Sequence, residues 1–345
     1  VLFVFPCIHE LFYGTVSLRS KVNKRVIRKE KETGSMISRP VSMPADFTLI
    51  DELLHSCETQ DAIDLNLHRQ ALQEKQTTTE LFQIWLNDTG QLQGFARLHF
   101  SQLDDLTEGR YWYYARPTTP NRVQRISTSM LKWAEQETQK RQIGIKVRLS
   151  TASREDHSIR FQFLEASVFS RERYFFTMKQ DLRENLPAPV LPKSYTFRQP
   201  TLDDIENYTD LHNQTFRERW NSQPITIDEL RASQLDHEYQ PELDTLAVTA
   251  DNTLVSFCTA TIEQTKREGH DEMIGFIASL GTDPAHRGRG IGRALLLHTL
   301  QTIYNLGIHK SLISVDAANP TGALHLYESV GFQTFETWIY YFKYL

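Results

Sequence analysis

A mixed α/β fold in two tandem, related domains, the N-terminal one degenerate, is what the patterning of this chain implies. Residues 282–292 form a glycine-rich turn between an extended apolar run at 273–280 and an amphipathic helical run at 293–306. Segments of the first half recur in the second at a steady offset of about 162 to 165 residues (94 to 256, 163 to 326, 122 to 287). Between the halves lie Pro187, Pro189 and Pro192, which remove backbone donors and stiffen the chain as a linker. The expected layout is an N-terminal extension over 1–34, a degenerate domain over 35–182, the linker over 183–194 and a complete domain over 195–345. A chain of 345 residues suits two domains.

The elements of the complete domain follow in order. Residues 195–198 read as a strand. Thr201-Leu-Asp-Asp204 opens a helix with a cap-like threonine and acids in its first turn. Leu202, Ile205, Tyr208, Leu211 and His212 then fall at helical spacing. Thr226-Ile-Asp-Glu229 is a second capping box, opening a shorter helix. Residues 245–249 and 254–262 flank a turn at Asp251-Asn252 and read as a hairpin. The strand at 273–280, the glycine turn and its helix come next, then a strand at 311–315. Asn319 and Pro320 suit the cap and first position of a further helix, which Gly331 closes in a left-handed conformation. An aromatic strand at 338–344 ends the chain.

The glycine turn carries the chemistry. It reads Thr282-Asp-Pro-Ala-His-Arg-Gly-Arg-Gly-Ile-Gly292. Gly288, Gly290 and Gly292 bare consecutive backbone N–H groups where a helix begins, and such a turn is an anion site. Arg287 and Arg289 add positive charge beside it, so the turn reads as a pyrophosphate cradle. A dinucleotide fingerprint is excluded, because Arg293 stands where its third glycine belongs. A P-loop is excluded by the lack of a closing Gly-Lys-Ser/Thr. Arg-x-x-Gly-x-Gly, from Arg287 to Gly292, is what remains. Downstream stands Asn319-Pro-Thr-Gly-Ala-Leu-His-Leu-Tyr-Glu-Ser-Val-Gly-Phe332.

These two motifs, in this order, resemble the acetyl-coenzyme A loop and the Asn-x-x-(Gly)-Ala-x-x-Leu-Tyr-x-x-x-Gly-Phe signature of the GNAT acyltransferase superfamily. The tandem arrangement resembles the mycothiol synthase-like group, in which an active C-terminal domain is paired with a degenerate one. In the first half Gly94-Phe-Ala-Arg97 parallels Ser256-Phe-Cys-Thr259, and residues 163–169 parallel 326–332. The cradle there has become Arg122-Val-Gln-Arg-Ile-Ser127, with Val123, Arg125 and Ser127 in place of the glycines and Leu164 in place of Tyr327. Side chains at those positions obstruct close backbone approach, so this copy is expected to have lost coenzyme binding and catalysis.

The resemblance implies acetyl-coenzyme A as acyl donor and no metal. Backbone groups of Leu280, Gly281 and Thr282 would pair with the pantetheine arm. Those of Arg287, Gly288, Arg289, Gly290, Ile291, Gly292 and Arg293 would hold the pyrophosphate. Asn319 either bonds the coenzyme or only caps its helix. Tyr327 would protonate the departing thiolate; the alternative is a packing role. Many relatives deprotonate the amine with a glutamate on the preceding strand, but 274–280 holds no carboxylate. Glu272, beside Asp271, is the candidate base, or else the solvated start of the strand. Glu218 and Trp220 either line the acceptor pocket or belong to an exposed loop, and His286 is expected at the surface.

The expected activity is acetyl transfer to a primary amine of a small molecule, by direct attack in a ternary complex. The alternatives are a non-catalytic coenzyme A-binding sensor and a protein N-acetyltransferase. His298, His309 and His325 lack metal-ligand spacing. Cys7, Cys57 and Cys258 are odd in number and scattered, which points to free thiols in a reducing, cytoplasmic setting. A net charge of −5 gives no footprint for nucleic acid or membrane, and a monomer or homodimer is expected. Residues 1–16 are apolar but contain His9 and Glu10 and are too short to span a bilayer; a weak membrane-surface anchor is the alternative to an artefactual extension. The charged run at 19–31 reads as disordered, so the folded protein is expected to start near Met36.

Overall fold

The computed structural model describes residues 36–345 except 62–64, 66–67, 70–71, 73–78, 104, 221, 238 and 268–269. The expected extension over 1–34, with its apolar and charged runs, lies outside the described residues. Residues 174–337 form one compact unit, and residues 36–173 with 338–345 form another.

In the N-terminal unit the order is β1 (Ile37–Pro40), α1 (Phe47–Asp61), β2 (Glu80–Leu86), β3 (Leu92–Leu103), β4 (Leu106–Ala115), α2 (Pro120–Lys140), β5 (Lys146–Arg154) and α3 (Ser158–Ala166). β6 (Ser170–Asp181) follows. The C-terminal unit runs through β7 (Tyr195–Arg198), α4 (Ile205–Phe216), α5 (Ile227–Gln234), β8 (Asp244–Thr249), β9 (Leu254–Arg267), β10 (His270–Thr282), α6 (Ile291–Asn305), β11 (Lys310–Asp316) and α7 (Ala323–Ser329). β12 (Gln333–Tyr344) ends the chain.

The sheet of the C-terminal unit runs β7-β8-β9-β10-β11-β6, antiparallel except for the parallel pair β10–β11. That of the N-terminal unit runs β1-β2-β3-β4-β5-β12, again with one parallel pair, β4–β5. The repeat inferred from sequence is thus a repeat of topology. One feature escapes any local pattern: each unit closes on a strand from the other half of the sequence. Residues 175–181 of β6 pair with β11, and residues 338–344 of β12 pair with β5.

Helix α6 anchors the C-terminal core. Leu295, Leu296, Leu297, Leu300 and Ile303 are wholly buried, alongside Val255 and Cys258 of β9. Burial of this kind contributes about 1.5–3 kcal/mol per large aliphatic side chain. The expected capping boxes are present: Glu229 N donates to Thr226 Oγ1 (3.2 Å), and Thr226 N donates to Glu229 Oε2 (2.7 Å). Thr201 and Asp204 form the other, ahead of a short 3-10 turn that leads into α4. Leu202 in that turn is exposed rather than on the apolar face.

Helix α7 starts later than the sequence implies. The Asn319 side chain accepts from Thr321 N (2.8 Å) and Thr321 Oγ1, holding 319–321 as a turn. Left-handed Gly322 (φ 73°) then opens the helix, so Pro320 is not its first residue. At the other end Gly331 is left-handed (φ 108°), as expected of a helix-closing glycine.

Candidate functional site

Strands β10 and β11 pair over only three residues, Gly275–Ile277 against Ser311–Ile313. At that point β10 carries a bulge: Ile277 faces Ala260 and Ser279 faces Thr259, leaving Ala278 unopposed. A bulge bends the strand and re-aims its edge, and such features sit beside functional clefts. Beyond it the β11-facing edge of 278–282 has no strand partner, while the other edge stays paired to β9 as far as Thr282. The result is a cavity of about 460 Å³ between the diverging strands. Its far end is the glycine turn.

That turn is built to present donors. Asp283 accepts from Ala285 N (2.7 Å), closing a 3-10 turn at Pro284–His286. Gly288 (φ 74°) and Gly290 (φ 79°) are both left-handed, a conformation costing other residues about 1–2 kcal/mol each. The first bond into α6 is Ala294 N to Gly290 O (3.0 Å). The N–H groups of Ile291, Gly292 and Arg293 therefore begin the helix without an intrahelical acceptor, and all three residues line the cavity.

The arginines of the motif are used structurally. Arg287 Nε donates to Thr282 O (3.2 Å) and Nη2 to Thr215 O (3.4 Å), tying the end of β10 to α4. Arg289 Nη1 donates to Tyr195 Oη (2.9 Å) and Nη2 to Ala285 O (3.1 Å), and its side chain lies outside the cavity lining. His286 shares a hydrogen bond with the same tyrosine through Nδ1 (3.0 Å). Gly281 has no room for a side chain, since a Cβ there would lie 2.6 Å from Phe257 and from Thr215. Its carbonyl accepts from the buried Ser256 Oγ (2.6 Å). Ser256, Thr215 and Tyr195 thus shape the site, although only Ser256 had any sequence signal, through the repeat.

Leu280, Gly281, Thr282, Arg287, Gly288, Gly290, Ile291, Gly292, Arg293, Asn319 and Tyr327 all line the one cavity. Tyr327 is buried, with its ring edge-on to Phe332 (6.3 Å). Burial pushes its phenol well above the ordinary tyrosine range, Cys258 adds to this, and the Arg219 guanidinium opposes it. The group therefore enters any reaction protonated. Glu272 is not brought to the cavity: at the far end of β10 it accepts from Lys310 Nζ. Glu218 and Arg219, in the turn after α4, do line it. Trp220 instead packs against Phe175 (6.0 Å). Among the described residues no group of three or more His, Cys, Asp or Glu is arranged to hold a metal.

The corresponding place in the N-terminal unit is built differently. Parallel pairing of β4 with β5 also stops partway, at Arg110 and Ser150, but β4 has no bulge. Arg160 of α3 fills the opening: Nη1 donates to Tyr113 O (2.9 Å), Nη2 to Thr151 Oγ1 (3.3 Å), and the guanidinium lies 3.9 Å from the Tyr113 ring centroid. Helix α2 starts from an extended Thr119 and Pro120, with no left-handed turn before it. Leu164, in the place of Tyr327, is wholly buried.

A bulged strand, a left-handed turn baring a helix N-terminus, and a cleft between two diverging parallel strands are together the features of a GNAT-like fold. Residues 205–332 match the model of the Acetyltransferase (GNAT) family. A mycothiol acetyltransferase from Thermobispora bispora is 34% identical over 165 residues, covering 47% of this chain and 55% of that protein. The chain spans about half the length of the curated relatives it matches. A GCN5-related N-acetyltransferase from Sphaerobacter thermophilus shares the fold with a TM-score of 0.70 at 21% identity, covering 90% of this chain and 95% of that one. A tandem GNAT protein from the clavulanic acid biosynthesis pathway does so with a TM-score of 0.67 at 13% identity, covering 90% and 98%.

Proposed function

We propose that the chain is an acetyl-coenzyme A-dependent N-acetyltransferase whose C-terminal unit acetylates a primary amine of a small molecule by direct attack. One observation carries this reading: the unpaired N–H groups at the start of α6, the open edge of β10 and the protonated phenol of Tyr327 share a single cavity.

The residues present fit such a donor. The pyrophosphate meets the helix start and left-handed turn, where charge-assisted hydrogen bonds are worth about 1.5–3 kcal/mol each. The pantetheine amides pair with the free edge of 278–282, as a further strand would. Thioester and amine are thereby held together, an effect that reaches about 7–11 kcal/mol in favourable intramolecular models. As the neutral amine nitrogen bonds to the carbonyl carbon and gives up a proton to water, the C–S bond breaks and Tyr327 protonates the departing sulfur. The phenol then regains a proton from solvent.

Titration of the protein with acetyl-coenzyme A in a calorimeter tests the binding half of the proposal, and thiol release against an amine panel tests the catalytic half. A folded protein that gives no heat of association refutes both. A second reading, a coenzyme A-binding sensor without turnover, is favoured by the pairing of Glu272 with Lys310, which leaves β10 no carboxylate in the cavity. Tight binding without thiol release would select it. A cytoplasmic location is the reading that the free, buried Cys57 and Cys258 support; among the described residues no helix is long and apolar enough to cross a membrane.

A further inference from the structure

The bulge in β10 also decides which way Ser279 faces. Ile277 and its cross-strand partner Ala260 both pack in the core beneath α6. In a regular strand Ser279, two places on, would share that face. The unopposed Ala278 shifts the register by one residue and turns Ser279 to the other face, directly opposite Thr259. Thr259 in turn pairs with Asp244 of β8. Asp244, Thr259 and Ser279 therefore form one row across three strands, spanning about 10 Å. One end of the row is a buried carboxylate, and the other lines the cavity.

Hydroxyl protons along this row run toward Asp244. Tyr208 Oη donates to Asp244 Oδ1 (2.9 Å), and Tyr239 Oη donates to Oδ2 (3.0 Å). Thr259 Oγ1 lies 3.1 Å from Tyr208 Oη and 3.4 Å from Asp244 Oδ1. The tyrosine proton is already given to the carboxylate, so the threonine proton points into the same cluster. Its oxygen keeps a lone pair for a donor from β10. Ser279 Oγ is buried and has no hydrogen-bond partner among the described residues, a state in which buried hydroxyls are seldom left. Rotation about one side-chain bond turns it toward Thr259 or toward the cavity. Burial holds the Asp244 carboxyl up at about 6, against the pull of the three hydroxyls. It is thus ionised at neutral pH, yet close enough to neutrality to serve as a proton acceptor. The Cys258 thiol, pushed up to about 12 by burial, stays protonated within the field of Asp244, and the exposed Glu242 acts on Tyr239.

We propose that Asp244 accepts the proton of the reacting amine through the hydroxyls of Ser279 and Thr259. The inference rests on the N-acetyltransferase reading above, and it supplies the route by which the proton reaches water. Ser279 meets the amine; Thr259 and Asp244 act through it. As the nitrogen bonds to the thioester carbon, its proton passes to Ser279 Oγ, the serine proton to Thr259 Oγ1 and the threonine proton to Asp244. The C–S bond breaks, and the sulfur takes the Tyr327 proton. The half-buried Tyr239 then takes the proton from Asp244 while giving its own to water.

The pH profile of kcat for thiol release from acetyl-coenzyme A by the whole chain tests this. The unaltered protein is expected to lose rate as pH falls through about 6, because the carboxylate must be ionised to take the proton. Asp244→Asn lowers kcat by at least about tenfold and lacks that acid limb. Ser279→Ala and Thr259→Val break the route and lower kcat to a similar extent, whereas Thr259→Ser restores the hydroxyl and most of the rate. Calorimetric affinity for acetyl-coenzyme A stays unchanged in every variant, which shows that the fold and the donor site are intact. Ser279→Ala removes a hydroxyl without a partner among the described residues, so it decides the matter should Asp244→Asn fail to fold. Full turnover by Ser279→Ala, or an acid limb that persists in Asp244→Asn, overturns the inference while leaving the transferase reading in place. Binding of acetyl-coenzyme A by the unaltered protein, with no transfer to any amine, defeats the transferase reading and this inference with it.

Discussion

Val168 and Gly331 hold the same left-handed backbone at corresponding places, φ 66° after α3 and φ 108° after α7. The bonds around them match. Val168 N and Gly331 N each donate to the residue three before, Glu165 and Glu328, at 3.0 Å. Phe169 N and Phe332 N each donate to the residue five before, Leu164 and Tyr327, at 3.1 Å. The degenerate copy has kept the helix-closing turn and lost the glycine that suits it. A β-branched residue there is strained by about 1–3 kcal/mol. Val168→Gly is therefore expected to stabilise the protein by about 1 kcal/mol, after the greater chain entropy of glycine is deducted. A urea midpoint that stays put or falls would contradict this. Gly331→Val should cost more than Val168→Gly restores, because a Cβ there lies 3.0 Å from Gln180 Nε2.

Coenzyme affinity should respond to the turn before α6 and not to its counterpart before α2. Gly290→Asp places a carboxylate against the pyrophosphate and forces a side chain into a left-handed position. Losing two charge-assisted bonds at about 1.5–3 kcal/mol each raises Kd by at least about a hundredfold. Arg125→Asp, at the matching place in the first half, should leave Kd alone. Calorimetry showing equal losses from both changes would rule out a single donor site. Arg287→Ala acts at one remove, by releasing Thr282 O and Thr215 O, and its effect should be smaller than that of Gly290→Asp.

Tyr327→Phe keeps the ring that packs on Phe332 and removes only the hydroxyl. General acids of this kind contribute about 10²–10⁴-fold, so kcat is expected to drop by at least about a hundredfold. Affinity for acetyl-coenzyme A should be retained. An unaltered turnover number would remove the hydroxyl from the reaction.

Asp244 is buried beneath α4 and β9, accepting from Tyr208 Oη (2.9 Å) and Tyr239 Oη (3.0 Å). Burial raises its carboxyl to about 6, although the hydroxyls of Tyr208, Tyr239 and Thr259 pull the other way. The folded state therefore binds this proton more tightly than the unfolded chain, whose carboxyl titrates near 3.9. The stability associated with the proton is present below pH 4 and is lost as pH rises to about 6, by roughly 2–3 kcal/mol. Asp244→Asn should abolish this decline and be at least as stable as the parent at pH 7. Denaturant titrations at pH 4 and 7 measure it, and a decline of undiminished size in the variant would exclude Asp244 as the source.

Much of the donor side could be read from the sequence because it is local. Three alternate glycines, a capping box at Thr226 and a glycine before Phe332 each specify a backbone conformation within a few residues, and each is found. Asn319 was harder: as a short acceptor it serves a helix cap or a turn equally well, and the bond from Thr321 decides for the turn. Glu272 was judged by nearness in sequence to the cleft strand. A strand advances about 3.3 Å per residue, which puts it roughly 17 Å short of the bulge and beside Lys310. Arg160 gave no sign at all, since its guanidinium meets β4 and β5 only through long-range pairing.

The strands that close the two sheets, β6 and β12, have a consequence for ancestry and engineering alike. Removal of the first half of the sequence would take β6 with it and leave β11 without an edge partner. The fragment 195–345 is accordingly expected to aggregate, whereas 174–337 joined to the rest of the polypeptide folds. Redundancy of sequence has become entanglement: each sheet borrows its closing strand from the opposite half of the chain.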